Sequence, residues 1–218
     1  MEKYRGSAPN IRKVWELAAI AILLLAGGTA ANADTLAKRQ NLTDLIRQAD
    51  VIVHGDVVSV TDGFDNNIPY TEVKVRVKEM LRGSAAETIT FRQFGLIKPR
   101  NMPNGLVNYS VTPVDWAIYK PREEVVLFLH KPARMTGLRT TVGLGQGKFT
   151  MQAGRIVSQQ QNRGLFDDVT VEPSLLNKSE RQMFATAGGA VNAQAFLTFV
   201  RRAVQDQWVE TGKMRNAK

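Results

Sequence analysis

Apolar side chains at Leu42, Leu45, Ile46 and Ala49 fall at i, i+3, i+4 and i+7 behind Asn41. That spacing predicts a short amphipathic helix capped by Asn41. The period then changes from helical to alternating. Residues 51–61 are rich in β-branched side chains and predict a strand, interrupted at Gly55, where a bulge or sharp bend is expected. Residues 62–67, Asp62 to Asn67, read as a loop by composition. The clearest strand covers residues 71–78, where Val73, Val75 and Val77 alternate with Glu72, Lys74, Arg76 and Lys78, so that one face is buried and the other wet. After a turn at Arg82-Gly83-Ser84, residues 88–94 predict a further strand with Ile89 and Phe91 on one face.

Residues 95–122 are rich in Pro, Gly and Asn and keep no period, which marks a long excursion with one short element near Trp116. The nearly continuous apolar run of residues 124–130 predicts a central strand. Shorter strands are expected at 138–142, 148–152 and 155–158, and loop from 159 to 179. Phe196, Phe199, Val200, Ala203, Val204 and Trp208 share one face of a final amphipathic helix over residues 193–209. Together these elements predict a mainly β chain: a five- to six-stranded Greek-key barrel of the OB type, with a short N-terminal helix and a C-terminal helix packed on it. The expected division is a leader at 1–33, the barrel at 34–160, and loop plus helix at 161–218.

The leader is read from Lys3, Arg5, Arg12 and Lys13, then an uncharged apolar run over residues 17–26, then Ala31-Asn32-Ala33. This is the order of a secretory signal with cleavage between Ala33 and Asp34. A retained anchor extending through Gly28 to Ala31 is the alternative. The chain has no cysteine, which excludes a disulfide scaffold and a lipoprotein anchor and is ordinary for an exported bacterial protein. The expected location is therefore periplasmic or extracellular in a bacterium. Of 29 basic and 20 acidic residues, the leader takes four and two, so the mature chain keeps a moderate net charge of +7.

Candidate chemistry is sparse. The run Gly143-Leu144-Gly145-Gln146-Gly147-Lys148-Phe149 lacks the P-loop's first glycine, where Val142 stands, and its Ser or Thr, where Phe149 stands. It also lacks the third glycine of a dinucleotide fingerprint, and is read as a tight turn or barrel corner. No nucleotide or other cofactor is expected. His54 and His130 are the only histidines, and no metal site is expected, although His54 and Asp56 would share one strand face. No serine lies in a nucleophile elbow. For a carboxylate-based hydrolase the candidates are Asp115, Glu123 and Glu124. For polyanion binding, of nucleic acid, acidic glycan or lipid headgroups, they are the wet-face ladder Lys74, Arg76 and Lys78, extended by Arg92.

The run Ala49-Asp50-Val51-Ile52-Val53-His54-Gly55, the strand over residues 73–81 closing on Arg82-Gly83, and Glu123-Glu124-Val125-Val126-Leu127-Phe128-Leu129 resemble the netrin-like OB fold of the tissue inhibitors of metalloproteinases. They look still closer to uncharacterised bacterial exported proteins that add a Gly-Gln-Gly-Lys-Phe block, here residues 145–149. The resemblance spans roughly residues 41–152. In the inhibitors it implies zinc capture by an N-terminal cysteine, and this chain offers Asp34 instead. What carries over is the fold, and fold alone does not fix function. The expectation is a non-catalytic binding module whose partner is another envelope or secreted protein, a protease being one class. Nucleic acid ranks lower, and membrane contact would come only through an uncleaved leader.

Overall fold

The computed structural model describes residues 38–217. The secretory leader and its cleavage point at Ala33 and Asp34 lie outside the described residues. Helix α1 (Leu42–Gln48) begins as expected, with the Asn41 side chain accepting the Asp44 N–H. Strands β1 (Val51–Asp65) and β2 (Ile68–Arg82) form a hairpin with fifteen residues in each arm. The presumed loop at 62–67 is mostly strand. Only Asn66 and Asn67 turn, at φ 48° and 64°, and two successive left-handed residues match the right-handed twist of a hairpin. Asparagine tolerates that region nearly as well as glycine, and its Asp-Gly-Phe-Asp approach masked the strand.

The remaining elements are β3 (Thr88–Phe94), β4 (Arg100–Asn101), β5 (Val107–Asn108), β6 (Glu124–Leu129), a 3-10 turn (Leu144–Gly147), β7 (Lys148–Gln152), β8 (Arg155–Ser158), β9 (Val169–Val171), a second 3-10 turn (Pro173–Leu175), α2 (Lys178–Phe184), β10 (Val191–Asn192), α3 (Ala193–Gln205) and β11 (Met214–Asn216). Seven strands make one antiparallel sheet in the order β10-β8-β7-β6-β1-β2-β3. The molecule is thus mainly β. The sheet has two edges, β3 and β10, and among the described residues no strand ladder joins them. Residues 138–142 contribute a single bridge, Thr141 to Leu129, rather than a strand. The stretch 159–179, expected to be loop, holds β9 and the start of α2, whose capping box pairs Asn177 with Glu180. No separate element stands at Trp116; β4 and β5 form a small hairpin earlier in the excursion.

Strand β6 explains the architecture. Val126 and Phe128 point into one apolar cluster, and Val125, Leu127 and Leu129 into another. A strand covered on both sides needs an unbroken apolar run, and this one has it. The first cluster seats α1 and α3 on the sheet through Phe128, Phe149 and Phe196, with Phe199 set edge-on to Trp208. It draws on Leu165, Met183 and Met214 as well, so the C-terminal third is part of the same core. The second cluster lies on the opposite side of β6 and gathers Val53, Val73, Val75 and Phe91 from β1, β2 and β3 with Ala117 and Tyr119 from the excursion.

Gly55 carries the expected bulge. The β1–β2 register shifts between His54 and Gly55, and a Cβ at Gly55 would strike the Arg76 carbonyl oxygen and, at 2.9 Å, the Val75 side chain. The close approach leaves room for glycine only.

Candidate functional site

Two surfaces stand out, and the sequence singled out the residues of the first. The first is the outer face of β1, β2 and β6. Past the bulge Asp56 stands opposite Arg76 on one side and opposite Glu124 on the other. Two carboxylates facing each other across a ladder repel. Lys78 resolves this by placing Nζ 2.8 Å from both Asp56 Oδ1 and Glu124 Oε1. His54 adds Nε2 at 2.8 Å from the same Glu124 oxygen. Hydrogen bonding from Lys78, helped by His54 and opposed by burial, holds the Glu124 carboxyl below its usual range. Burial alone would lower the Lys78 ammonium, but its bonds to Asp56 and Glu124 outweigh that and raise it.

One residue along, Glu79 receives both Arg201 Nε at 2.5 Å and Nη2 at 2.8 Å from α3. This fork pulls Glu79 below the ordinary carboxylate range against the effect of burial. Arg92 on β3 faces Glu72 in register, donates to it at 2.7 Å, and stacks over the Tyr70 ring at 4.2 Å. Arg76 is 3.9 Å from Asp56. Of the four cations predicted to form a basic face, Arg76, Lys78 and Arg92 have carboxylate neighbours, and Lys74 has none among the described residues. Most of the cations on this face are thus matched by carboxylates on neighbouring strands.

The hydrolase candidates are not brought together by any bond among the described residues. Glu124 is in the network above. Glu123 Oε2 accepts from Lys148 Nζ at 2.6 Å and from the Lys120 N–H. Asp115 is exposed, with its backbone oxygen taken by the Gly145 N–H. Lys148 lies nearly buried beside a cleft of about 280 Å³, where it also donates to the Ile118 carbonyl. Burial pushes its ammonium down, against Glu123. Among the described residues no group of three or more His, Asp or Glu side chains is placed to hold a metal ion. His130 sits at the end of β6, its ring pKa lowered mainly by burial.

The second surface is the excursion. Of eight large hydrophobic side chains left exposed in the described residues, six lie here: Ile97, Leu106, Val107, Tyr109, Val114 and Ile118. Tyr109 and Val114 are 73% and 86% exposed. The backbone beneath them is fastened at intervals. Leu96 and Thr112 exchange hydrogen bonds with the chain across the arm, and Gly95, at φ 102°, lies so close to Thr112 N that a Cβ there would meet it at 2.5 Å. Asp62 grips Arg100 and accepts the Ile97 N–H at 2.8 Å. Buried Gln93 donates Nε2 to the Ala117 carbonyl at 2.9 Å. The Gly145 N–H to Asp115 bond is 2.8 Å. The glycine run 143–147 therefore serves as a corner: Gly143 is left-handed, Gly147 packs on the Val142 backbone, and Gln146 accepts the Gln40 N–H. Sequence reasoning missed this apolar surface because exposure, unlike period, has no local signature.

No family model, no curated protein and no solved structure matches the chain significantly.

Proposed function

We propose that this chain is a non-catalytic, exported binding module that docks on another envelope or secreted protein through its excursion. The observation that carries the reading is the concentration of six of the eight exposed large hydrophobic side chains in residues 97–118. Scattered single exposed side chains are normal, whereas a concentration on a fastened scaffold marks an interaction surface. Export rests on the leader pattern. The finer fold reading, an OB-type netrin-like barrel, draws support from the Arg139 N–H, which donates to the Arg92 carbonyl of β3 while Thr140 accepts from His130 at the end of β6. Residues 139–141 would be the closing stave.

The paired charges of the sheet favour this reading over polyanion binding. A polyanion would have to displace Asp56, Glu72 and Glu124 from cations they already hold.

The test uses the chain expressed with its own leader, purified and immobilised, against the exported fraction of the source organism. The unmodified chain is expected to retain a protein that the Leu106→Ser, Tyr109→Ser double variant loses, with both chains melting alike. Repeated recovery of nothing, or equal recovery by both, defeats the proposal. Mass spectrometry of the same preparation is expected to find Asp34 first; a chain beginning at Met1 in the membrane fraction would make the module a tethered one.

A further inference from the structure

We infer that the partner face meeting the excursion is acidic: an apolar patch rimmed by carboxylates. This rests on the docking reading above and adds to it the partner's charge. Residues 88–122 contain five basic residues, Arg92, Lys98, Arg100, Lys120 and Arg122, and one acidic residue, Asp115. Arg92 is held by Glu72 and Asp65, and Arg100 by Asp62. Lys98, Lys120 and Arg122 are exposed and make no ion pair among the described residues. Lys98 adjoins Ile97, and Lys120 and Arg122 follow Ile118. The run of uncovered apolar side chains from Ile97 to Ile118 is therefore flanked in sequence at both ends by cations that the fold does not neutralise. At protein interfaces such rim charges set partner choice and encounter rate, while the apolar centre supplies most of the affinity.

Other occupants fit less well. A second copy would bring the same cations against one another. The interior of a lipid layer would strip water from the Asn101, Asn104 and Asn108 side-chain amides, whose N–H groups find no partner among the described residues. A nucleic acid would use aromatic stacking, and Tyr109 is the only exposed ring in the set.

The experiment extends the capture assay with a Lys98→Glu, Lys120→Glu double variant and a salt series from about 0.05 to 0.5 M. Charge reversal is expected to cut retention at the low-salt end about tenfold, the loss of roughly 1.4 kcal/mol, and retention by the unmodified chain is expected to fall along the salt series. Loss of capture by Leu106→Ser, Tyr109→Ser with no response to charge reversal or salt overturns the acidic face and leaves the docking reading standing. No capture by the unmodified chain overturns both. Two side measurements also decide: binding to phosphatidylglycerol vesicles in place of protein, or a dimer in sedimentation that the apolar substitutions dissolve, each overturns the inference.

Discussion

The outer face of the sheet and the excursion are both rich in cations, and the fold treats them oppositely. On the sheet, antiparallel register sets Arg76 against Asp56 and Arg92 against Glu72, and Lys78 bridges two carboxylates that would otherwise repel. On the excursion, Lys98, Lys120 and Arg122 find no carboxylate among the described residues, and six apolar side chains find no cover. A basic residue in a sequence is thus only half a statement. Its meaning depends on what the adjacent strand places opposite it, and the excursion has almost no adjacent strand.

The sharpest way to break the comparison is at the bulge that sets the paired face in register. Gly55→Ala should destabilise by about 3 kcal/mol, because the new Cβ meets the Arg76 backbone, which cannot rotate away. Urea unfolding would measure it, and a cost under about 1 kcal/mol would mean that the hairpin slides freely. Next in size is acid. The Glu79 and Glu124 carboxyls are held below their ordinary values, so their contribution is complete above the unfolded carboxylate pKa of roughly 4.3 and is lost as pH falls through the lower folded values. Stability should decline below about pH 4.5. Glu79→Gln, which cuts the fork from Arg201, should cost about 1 kcal/mol at pH 7 and flatten that decline. An unchanged acid limb would remove Glu79 from the account.

Smaller again is the effect expected on the excursion. Leu106→Ser and Tyr109→Ser should shift stability by no more than about 0.5 kcal/mol, since exposed side chains bury little on folding. Smallest is Lys74→Gln, expected to leave stability unmoved, as this lysine has no ion-pair partner among the described residues. A loss above about 1 kcal/mol in either case would show that the two surfaces differ less than their geometry indicates.

Much of the fold was legible because periodicity reports burial. The alternation of Val73 and Val75, the unbroken run of β6 and the glycine at the bulge each predicted their place. What escaped was short or cooperative. Strands β9 and β11 are three residues each and exist only by pairing with one another, and residues 62–65 are strand only because β2 returns beside them. The lysine ladder was legible as a wet face, but Asp56 and Glu124 come from other strands, so its neutralisation was not. The excursion was legible as lacking a period, not as lacking a cover.

The fastening of that excursion changes what association would require of it. With Gly95 locked on Thr112, Gln93 holding Ala117, and Asp62 gripping both Arg100 and the Ile97 N–H, the backbone is already ordered before any encounter. A partner would then restrict little more than the rotamers of Leu106, Tyr109 and the lysines, keeping the conformational entropy lost on binding small. Docking would approach a rigid-body event, and changes in affinity among surface variants would be expressed mainly in residence time.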